Sequence, residues 1–179
     1  MEEINDIFKA ESKKSAVTIG KFDGVHIGHM KLLNTLMKEK KDLESVVIVT
    51  GFDFNDEGNT DQIMSKTERI KIFKNIGIDK TVLFPLTKEN AEIPAETFVK
   101  NILVEKLNCK LLVVGDNFRF GRDRMGDIPF LSEMSRKYDF KLMVIEREKY
   151  ENEPVSSTRI RSELKQGHLE KAHKMLGRN

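Results

Sequence analysis

The sequence predicts an α/β fold, with a mostly parallel five-stranded sheet and helices on both of its faces. Five short runs of residues are almost continuously apolar, as in strands that are buried on both faces. Between these runs, apolar residues recur at helical spacing. Strand-like and helical segments alternate along the chain, which is the order expected when helices connect parallel strands.

The first half of the chain contains three of the predicted strands, at residues 16–19, 46–49 and 81–84. A helix is predicted over residues 30–40, because four apolar side chains share one of its faces: Leu32, Leu33, Leu36 and Met37. A second helix is predicted over residues 65–75. Ser65 and Glu68 have the spacing of a capping box at its start, and Gly77 fits a helix-ending glycine.

The second half continues the same alternation. Strands are predicted over residues 111–114 and 141–145. Helices are predicted over residues 95–106, 128–137, 157–166 and 169–176. No repeat or linker-like stretch interrupts the pattern, so residues 1–179 are interpreted as a single domain. In sheets of this kind, ligands bind at the carboxyl ends of the strands, near the point where the strand order reverses.

Composition narrows the possible partners and the compartment. The chain has 31 basic and 29 acidic residues, and this balance does not favour nucleic acid as a partner. No apolar run approaches membrane-spanning length, and the acidic start lacks the pattern of a signal peptide, so no membrane partner is expected. Cys109 is the single cysteine, which excludes an internal disulfide and is typical of a cytoplasmic protein.

The most informative motif is the stretch from Gly20 to His29, which reads GKFDGVHIGH. It places His26 and His29 between the first strand and the first helix, where unpaired N–H groups and the helix dipole favour an anion. Two imidazoles three residues apart lie on one face and can bind the same phosphate. Capping of the helix, or half of a metal site, is the competing interpretation of this pair. Gly28 removes a side chain where a ligand approaches the backbone.

A second unusual segment follows the fourth strand, at residues 115–127. It combines glycines and arginines with two aromatic residues, Phe118 and Phe120, which have no strand or helix of their own to bury them. A flat aromatic ligand near these rings, with its phosphate on the arginines, is one interpretation. An ordinary solvated basic loop is the other.

The third segment is Val155 to Arg161, which reads VSSTRIR at the start of a predicted helix. Ser156 or Ser157 is a natural N-cap, and capping alone accounts for one serine. It does not account for Arg159 and Arg161, whose positive charges oppose the helix dipole at this end. Hydroxyls, free N–H groups and guanidinium groups together favour a polyphosphate site.

These three motifs, in this order, resemble those of the adenylyltransferase domain of prokaryotic FAD synthetases. The family shares the pattern Gly-x-Phe-Asp-Gly-Val-His-x-Gly-His, a Gly-x-x-Phe-x-Phe-Gly loop and Ser-Ser-Thr-x-Ile-Arg. The resemblance covers nearly the whole chain and implies a Rossmann-like member of the nucleotidylyltransferase superfamily. It implies that FMN and ATP are joined to give FAD and pyrophosphate. The expected partners are therefore ATP and FMN, with Mg²⁺ accompanying the ATP.

The resemblance assigns roles residue by residue. The catalytic group is expected to comprise His26, His29 and Arg161. ATP is expected to be bound by Gly20, Phe22, Asp23, Gly28, Ser157, Thr158 and Arg159. The flavin is expected to contact Phe52, Phe54, Asn117, Phe118, Arg119 and Phe120. Asp23 is the one carboxylate named as a candidate neighbour of the magnesium, and turn formation is its competing role.

Two features depart from the family pattern. The family carries Phe-x-Pro-His-Pro after its second strand, whereas this chain reads FDFND at residues 52–56. The acidic pair Asp53 and Asp56 is expected to repel a flavin phosphate. The altered segment leaves two alternatives open: a nucleotidyltransferase for another phosphorylated acceptor, and a non-catalytic flavin- or nucleotide-binding domain. Family proteins also commonly continue into a riboflavin kinase domain, which is absent here, so no riboflavin kinase activity is expected.

Overall fold

A computed structural model describes residues 1–51, 62–85 and 87–178. Its strands are β1 (Glu2–Ile4), β2 (Ser15–Gly20), β3 (Glu44–Thr50), β4 (Lys80–Phe84), β5 (Cys109–Gly115), β6 (Lys141–Ile145), β7 (Lys149–Tyr150) and β8 (Glu153–Pro154). Its helices are α1 (Ile27–Glu39), α2 (Lys66–Ile76), α3 (Lys88–Ala91), α4 (Ala95–Thr97), α5 (Ile128–Lys137), α6 (Ser157–Lys165) and α7 (Leu169–Leu176). A π-helical stretch, Phe98–Lys106, continues α4, and short 3₁₀ turns occupy Ile7–Lys9 and Arg122–Arg124.

The central sheet is parallel and has the strand order β1-β4-β3-β2-β5-β6. The chain runs outward from β2 through β3 to β4, and then returns to the other side of β2 with β5 and β6. The strand order therefore reverses between β2 and β5, and the loops after these two strands flank the ligand-binding crevice expected in such sheets.

Helices cover both faces of this sheet, as predicted. On one face, the buried side chains of the π-helical stretch and of α5 pack on alternate residues of the strands, including Val17, Ile48 and Leu112. On the other face, α1 and α2 contribute Leu33, Leu36 and Phe73, which pack with Ala16 and Val47. A third, smaller cluster joins α6 and α7. The near-continuous apolar strands follow from this arrangement, because neither face of a strand meets water.

The sheet has six strands rather than the five that the sequence predicted. The additional strand is β1, which pairs with the edge of β4 and contains two glutamates among its three residues. No apolar run marks it, because its side chains are largely exposed and Glu3 forms an ion pair with Lys66 at 3.0 Å. The antiparallel hairpin β7–β8 was also not predicted, since its strands have only two residues each.

The predicted helix boundaries lie within one residue of those in the structure, except that α1 begins at Ile27, three residues before its predicted start, because His26 caps it. Ser65 and Glu68 form the reciprocal capping box at the start of α2, and Gly77 ends that helix in the left-handed conformation, with φ +88°. Such caps are local, so the sequence alone fixes them.

Candidate functional site

A cavity of ≈ 650 Å³ lies at the carboxyl ends of β2, β3, β5 and β6. All three of the motifs singled out in the sequence contribute to its wall, which places it at the reversal of strand order. Ten of the predicted site residues line it: Gly20, Asp23, His26, Gly28, His29, Asn117, Phe118, Ser157, Thr158 and Arg161.

The two histidines form a stacked pair at the start of α1. Their ring centroids are 3.7 Å apart and the ring planes differ by 16°. His26 is the N-cap of the helix, because its Nδ1 accepts the backbone N–H of His29 at 3.3 Å. Helix capping, one of the competing interpretations of this pair, therefore occurs at His26 together with a place in the cavity wall. Because Nδ1 is an acceptor, the proton of neutral His26 is on Nε2.

Gly28 makes room for this stacked arrangement. A Cβ atom at this position would lie 3.2 Å from Cε1 and 3.3 Å from Nδ1 of His26, closer than ordinary van der Waals contact. The His26 ring is also stacked against the ring of His29. The glycine of the His-x-Gly-His pattern thus allows the first imidazole to lie over the helix start.

Both imidazoles are held neutral in the ligand-free protein. Burial lowers the pKa of His26 to about 4, and the positive charge of Arg178 adds to this effect. Burial also lowers the pKa of His29 well below its ordinary value, with further contributions from His26 and Arg69. His29 Nδ1 is buried and has no hydrogen-bond partner within the described part of the chain.

The turn before the histidines has an unusual backbone. Phe22 and Val25 have φ values of 52° and 35°, in the left-handed region that side chains other than glycine rarely adopt. Gly24 between them is also left-handed, with φ 78°. Such conformations persist only where the surrounding structure enforces them.

Side chains from distant parts of the sequence hold this turn. Arg69 Nη1 donates to the carbonyl of Lys21 at 3.0 Å, and Ser157 Oγ donates to the carbonyl of Asp23 at 2.8 Å. Arg178 donates to the carbonyls of Val25, at 2.9 Å, and of Gly24. The turn that carries the histidines is therefore fixed by residues of α2, α6 and the C-terminal segment.

The carboxylate of Asp23 connects three segments at the cavity wall. Oδ1 accepts the backbone N–H groups of Ile63 and Met64 at 3.1 and 3.3 Å, and Oδ2 accepts Nη1 of Arg161 at 2.8 Å. Asp23 is buried, and protein donors already occupy both of its oxygens. Within residues 1–51, 62–85 and 87–178, no group of three or more His, Cys, Asp or Glu side chains is arranged to hold a metal ion.

At the start of α6, the two arginines of the third motif point in different directions. Ser156 is the N-cap, and its Oγ accepts the N–H of Arg159 at 3.2 Å. Arg161 lines the cavity and approaches Thr158 Oγ1 at 3.4 Å. Arg159 is absent from the cavity wall, because its Nη1 donates to the carbonyls of Tyr150 and Glu153 in the β7–β8 hairpin at 2.9 and 3.1 Å.

The loop after β5 is better buried than the sequence predicted. The rings of Phe118 and Phe120 stack with their centroids 5.4 Å apart, and Phe120 also lies 5.6 Å from Phe98 of the core. The expectation that nothing buries these rings was wrong, because both pack on the cluster beneath the sheet. Phe118 lines the cavity and Phe120 supports it from behind. Arg119 forms an ion pair with Asp127 at 2.8 Å and is not part of the wall.

A further predicted residue, Phe22, is absent from the cavity wall. Phe22 is fully buried, with its ring 5.0 Å from that of His29 and 5.5 Å from that of Phe73, so it supports the histidine from the core. Phe52 and Phe54 lie outside the described residues. Four residues that were predicted to contact ATP or the flavin do not line the cavity: Phe22, Arg119, Phe120 and Arg159.

The cavity wall also contains three basic residues that were not predicted for the site, Lys21, Arg69 and Arg147, and Arg124 from the loop whose arginines were predicted to meet a phosphate. Lys21 directly follows β2 and Arg147 lies two residues after β6, so both stand at strand ends that border the cavity, a position that marks them as candidates. Arg69 lies on α2, where nothing in the local pattern distinguishes it from a surface cation, and yet it is buried. Together with Arg161, these residues give the wall an excess of positive charge over Asp23 and Glu146.

Comparison with known proteins assigns the chain to a family. A sequence model described as FAD synthetase matches residues 8–159. A bifunctional riboflavin kinase/FMN adenylyltransferase of Buchnera aphidicola subsp. Schizaphis graminum is 37% identical over 177 residues, which are 95% of this chain and 57% of the relative. An FAD synthetase of Listeria monocytogenes is 31% identical, over 93% of this chain and 70% of the relative. An Escherichia coli protein of the same bifunctional kind is 29% identical, over 97% and 58%.

Solved structures confirm the fold. A protein from Streptococcus pneumoniae, described as a macrolide-efflux protein, superposes with a TM-score of 0.81 at 24% identity, over 98% of this chain and 59% of that chain. A pantothenate synthetase from Thermus thermophilus superposes with a TM-score of 0.57 at 13% identity, over 98% and 82%. In the described part of the present chain, no helix is both long enough and apolar enough to cross a bilayer.

Proposed function

The chain belongs to the FAD synthetase family, and we propose that it is an FMN adenylyltransferase, which converts FMN and ATP into FAD and pyrophosphate. The observation that carries this proposal is the convergence of all three family motifs on one basic cavity at the reversal of strand order. The chain spans just over half the length of the two bifunctional relatives described above, so their printed activities enter here as proposals.

The reaction needs charge compensation more than proton transfer. A phosphate oxygen of FMN attacks the α-phosphorus of ATP, and the bond from that phosphorus to the pyrophosphate oxygen breaks. The attacking phosphate is already an anion near neutral pH, so no strong general base is required. Catalysis then depends on in-line placement and on stabilising the negative charge that grows on the leaving pyrophosphate.

The histidines suit this task as neutral donors. Because the pKa of each is lowered, neither ring is a cation near pH 7 in the ligand-free protein. In the proposed complex, the Nε2–H of His26 donates to a phosphate oxygen at the start of α1. The ring of His29 stacks on that of His26 and therefore lies beside this donor. Preorganised N–H donors in a buried site stabilise the charge that develops in the transition state, because they do not have to reorient during the reaction.

The start of α6 is proposed to hold the remaining phosphates. Arg161 provides a guanidinium group in the wall, and Ser157 and Thr158 place backbone N–H groups at the positive end of the helix. Arg159 has a different proposed role: its contacts to the hairpin carbonyls fix the chain that leads into α6. It therefore positions the phosphate site without touching the nucleotide.

Magnesium is proposed to enter with the nucleotide. Mg²⁺ keeps several waters and is commonly bound through substrate phosphates rather than by an all-protein cage. The cavity fits that mode, since Asp23 is engaged by Arg161 and by two backbone N–H groups. When bound, the ion neutralises charge on the phosphate oxygens, and Asp23 contributes by orienting Arg161.

The flavin is proposed to lie against the loop after β5. Asn117 and Phe118 supply wall contacts, and Phe120 supports the Phe118 ring through stacking at 5.4 Å. Arg119 is proposed to hold this loop in place through its ion pair with Asp127. Phe52 and Phe54 stay predictions for the flavin side. A cytoplasmic setting is proposed with the reaction, as for a chain with a single buried cysteine.

The test is an incubation of the protein with FMN, ATP and Mg²⁺, with FAD and pyrophosphate followed by chromatography and a coupled assay. We expect the two products to appear in equal amounts. A His29→Ala preparation of matched concentration is the control, and it should lose nearly all of the activity while keeping its circular dichroism spectrum. Absence of FAD from a folded protein that still binds ATP would contradict the proposal.

A second candidate is adenylyl transfer to a different phosphorylated acceptor. The sequence FDFND at residues 52–56 favours it, because it departs from the Phe-x-Pro-His-Pro pattern that the family carries on the flavin side. Pyrophosphate release from ATP with other phosphorylated small molecules, but not with FMN, would support this candidate over the first. Retention of the aromatic pair at Phe118 and Phe120 favours the flavin.

A further inference from the structure

We propose that Arg178 is a positioning residue for the site, and that it holds the turn from which His26 projects. Arg178 lies beyond residues 8–159, the part of the chain that the family model matches. It is absent from the cavity wall, so its effect on chemistry is exerted through the turn. The inference concerns the residues of the site and rests on the proposed function for its kinetic consequence.

The end of α7 is built to bring Arg178 to this turn. Gly177 follows the helix with φ +73°, a left-handed conformation that reverses the chain direction. A Cβ atom on Gly177 would lie 2.9 Å from Cγ2 of Ile27, the first residue of α1. A side chain here is therefore excluded twice, by the backbone conformation and by the close approach of the two helices.

The guanidinium group then meets two adjacent carbonyls. Nη1 donates to Val25 at 2.9 Å, Nη2 donates to Gly24, and Nη1 also contacts the carbonyl of Leu176 at 3.2 Å. The first two carbonyls precede the N-cap of α1. They lie outside the hydrogen-bond ladder of that helix, so donors from elsewhere in the structure have to satisfy them.

The turn needs such an external partner. Val25 is β-branched and has φ 35°, a conformation that is costly for a residue of this kind. This strained turn is held in place by two hydrogen bonds. At one end Arg69 donates to the carbonyl of Lys21, and at the other Arg178 donates to the carbonyl of Val25. Loss of the hydrogen bonds from Arg178 allows the backbone of Val25 to relax. His26, the N-cap residue that directly follows Val25, then moves with the backbone.

The electrostatics are consistent with this contact. The positive charge of Arg178 lowers the pKa of His26, after the larger effect of burial. His29 is stacked on the same ring, and Arg69 is a cation that acts on His29. Burial lowers the pKa of the half-buried Arg178, and the charge of Glu68 partly offsets this effect. The charge of Arg178 therefore adds to the effect of burial, which favours the neutral imidazole whose Nδ1 caps α1.

The experiment compares Arg178→Ala and Arg178→Lys with wild-type protein. Lys174→Ala is the matched control, because it removes a positive charge from exposed α7 without touching the turn. We expect Arg178→Ala to lower kcat for FAD formation by roughly 10-fold, as for other small misplacements of catalytic groups. Its KM for FMN should stay within about twofold, since the flavin wall is unchanged. Arg178→Lys should be intermediate, because an ammonium group restores the charge but not the paired contact to two carbonyls.

The second readout is the pKa of His26, followed by NMR of the ring protons. It should rise in Arg178→Ala toward the ordinary value of 6.5, and should change little in Arg178→Lys and Lys174→Ala. If kcat and the His26 pKa in Arg178→Ala both match wild type, the proposal is wrong. A lowered melting temperature with neither change would assign Arg178 to stability alone and would also overturn it.

The two proposals fail in different ways. If the wild-type protein forms no FAD, the proposed function fails, while the pKa of His26 still reports whether Arg178 holds the turn. If Arg178→Ala does not fold, the comparison of Arg178→Lys with Lys174→Ala decides the question, because only the former alters the contact.

Discussion

Arg161 Nη1 lies 2.8 Å from Oδ2 of Asp23, a residue 138 positions earlier in the chain. The carboxylate is buried while the arginine is partly exposed to the cavity. The contact joins the Gly20–His29 motif to the start of α6. It also leaves the guanidinium group facing the space where we place the phosphates of ATP.

Replacement of this carboxylate is the first prediction. Asp23→Asn keeps an oxygen for the N–H of Ile63 but removes the charge that orients Arg161. Breaking a buried pair costs about 3–5 kcal/mol, and solvent around Arg161 reduces this, so we expect a loss of about 1–2 kcal/mol in the free energy of unfolding. Denaturant titration measures the loss, and the KM for ATP should rise with it. A variant with unchanged stability and unchanged ATP affinity would exclude the positioning role.

The second prediction separates the two arginines of α6. Arg161→Ala should raise the KM for ATP by roughly 10-fold or more and leave that for FMN nearly unchanged, as expected for loss of a charged hydrogen bond. Arg159→Ala should instead lower the melting temperature and change both KM values by less than about twofold, because it loses contacts to the hairpin rather than to the nucleotide. The double variant Asp23→Asn/Arg161→Ala controls for the unpaired carboxylate that Arg161→Ala leaves behind. If Arg159→Ala raised the KM for ATP and Arg161→Ala did not, Arg159 rather than Arg161 would be assigned to the ATP site.

The third prediction concerns the donor of His26. Asn is a good N-cap residue, so His26→Asn should preserve the start of α1 while removing the Nε2–H group. We expect kcat to fall by roughly 100-fold, the usual effect of removing one preorganised donor. The melting temperature should stay close to that of wild type. His26→Ala is the comparison, and it should lose about 1 kcal/mol of stability in addition, because its cap is gone.

Gly28→Ala provides the fourth prediction, since here stability and activity should respond differently. The added methyl group meets the His26 ring at 3.2 Å, and the ring cannot retreat far because His29 is stacked against it. Alanine favours a helix over glycine by about 1 kcal/mol, so the melting temperature should not fall. Turnover should drop by roughly 10-fold through displacement of the imidazole. Full activity together with raised stability would show that the ring position is not critical.

The fifth prediction is a dependence of stability on pH. The pKa of folded His26 is about 4, below the ordinary value of 6.5, so the unfolded chain binds the proton more readily. Its contribution to stability is complete above pH 6.5 and is lost as the pH falls from 6.5 toward 4. At pH 5 this amounts to about 2 kcal/mol relative to pH 7. His26→Asn should lose less stability over that interval in paired denaturant titrations, whereas parallel curves would contradict the lowered pKa.

Local patterns account for the parts of the fold that the sequence predicted. The apolar runs of β2 to β6 and the capping residues Ser65 and Gly77 act over a few neighbours in the chain. The edge strand β1 has no such mark, because two of its residues are glutamates that face solvent. The contact between the rings of Phe120 and Phe98 was missed for a similar reason, since it depends on which loop folds back over the core.

By itself, the sequence determined the α/β class, the family motifs and their places at strand ends. Hydrophobic periodicity and helix capping operate within a few residues, so they can be recognised without coordinates. The tertiary structure alone decided the long-range partners of the polar side chains around the site. It turned Arg159 toward the hairpin and Arg161 toward the cavity, and it brought Arg69, Ser157 and Arg178 to the carbonyls of Lys21, Asp23 and Val25 in one turn. These partners are 48, 134 and 153 residues away from the carbonyls that they satisfy, and only the packing of the sheet and its helices brings them together.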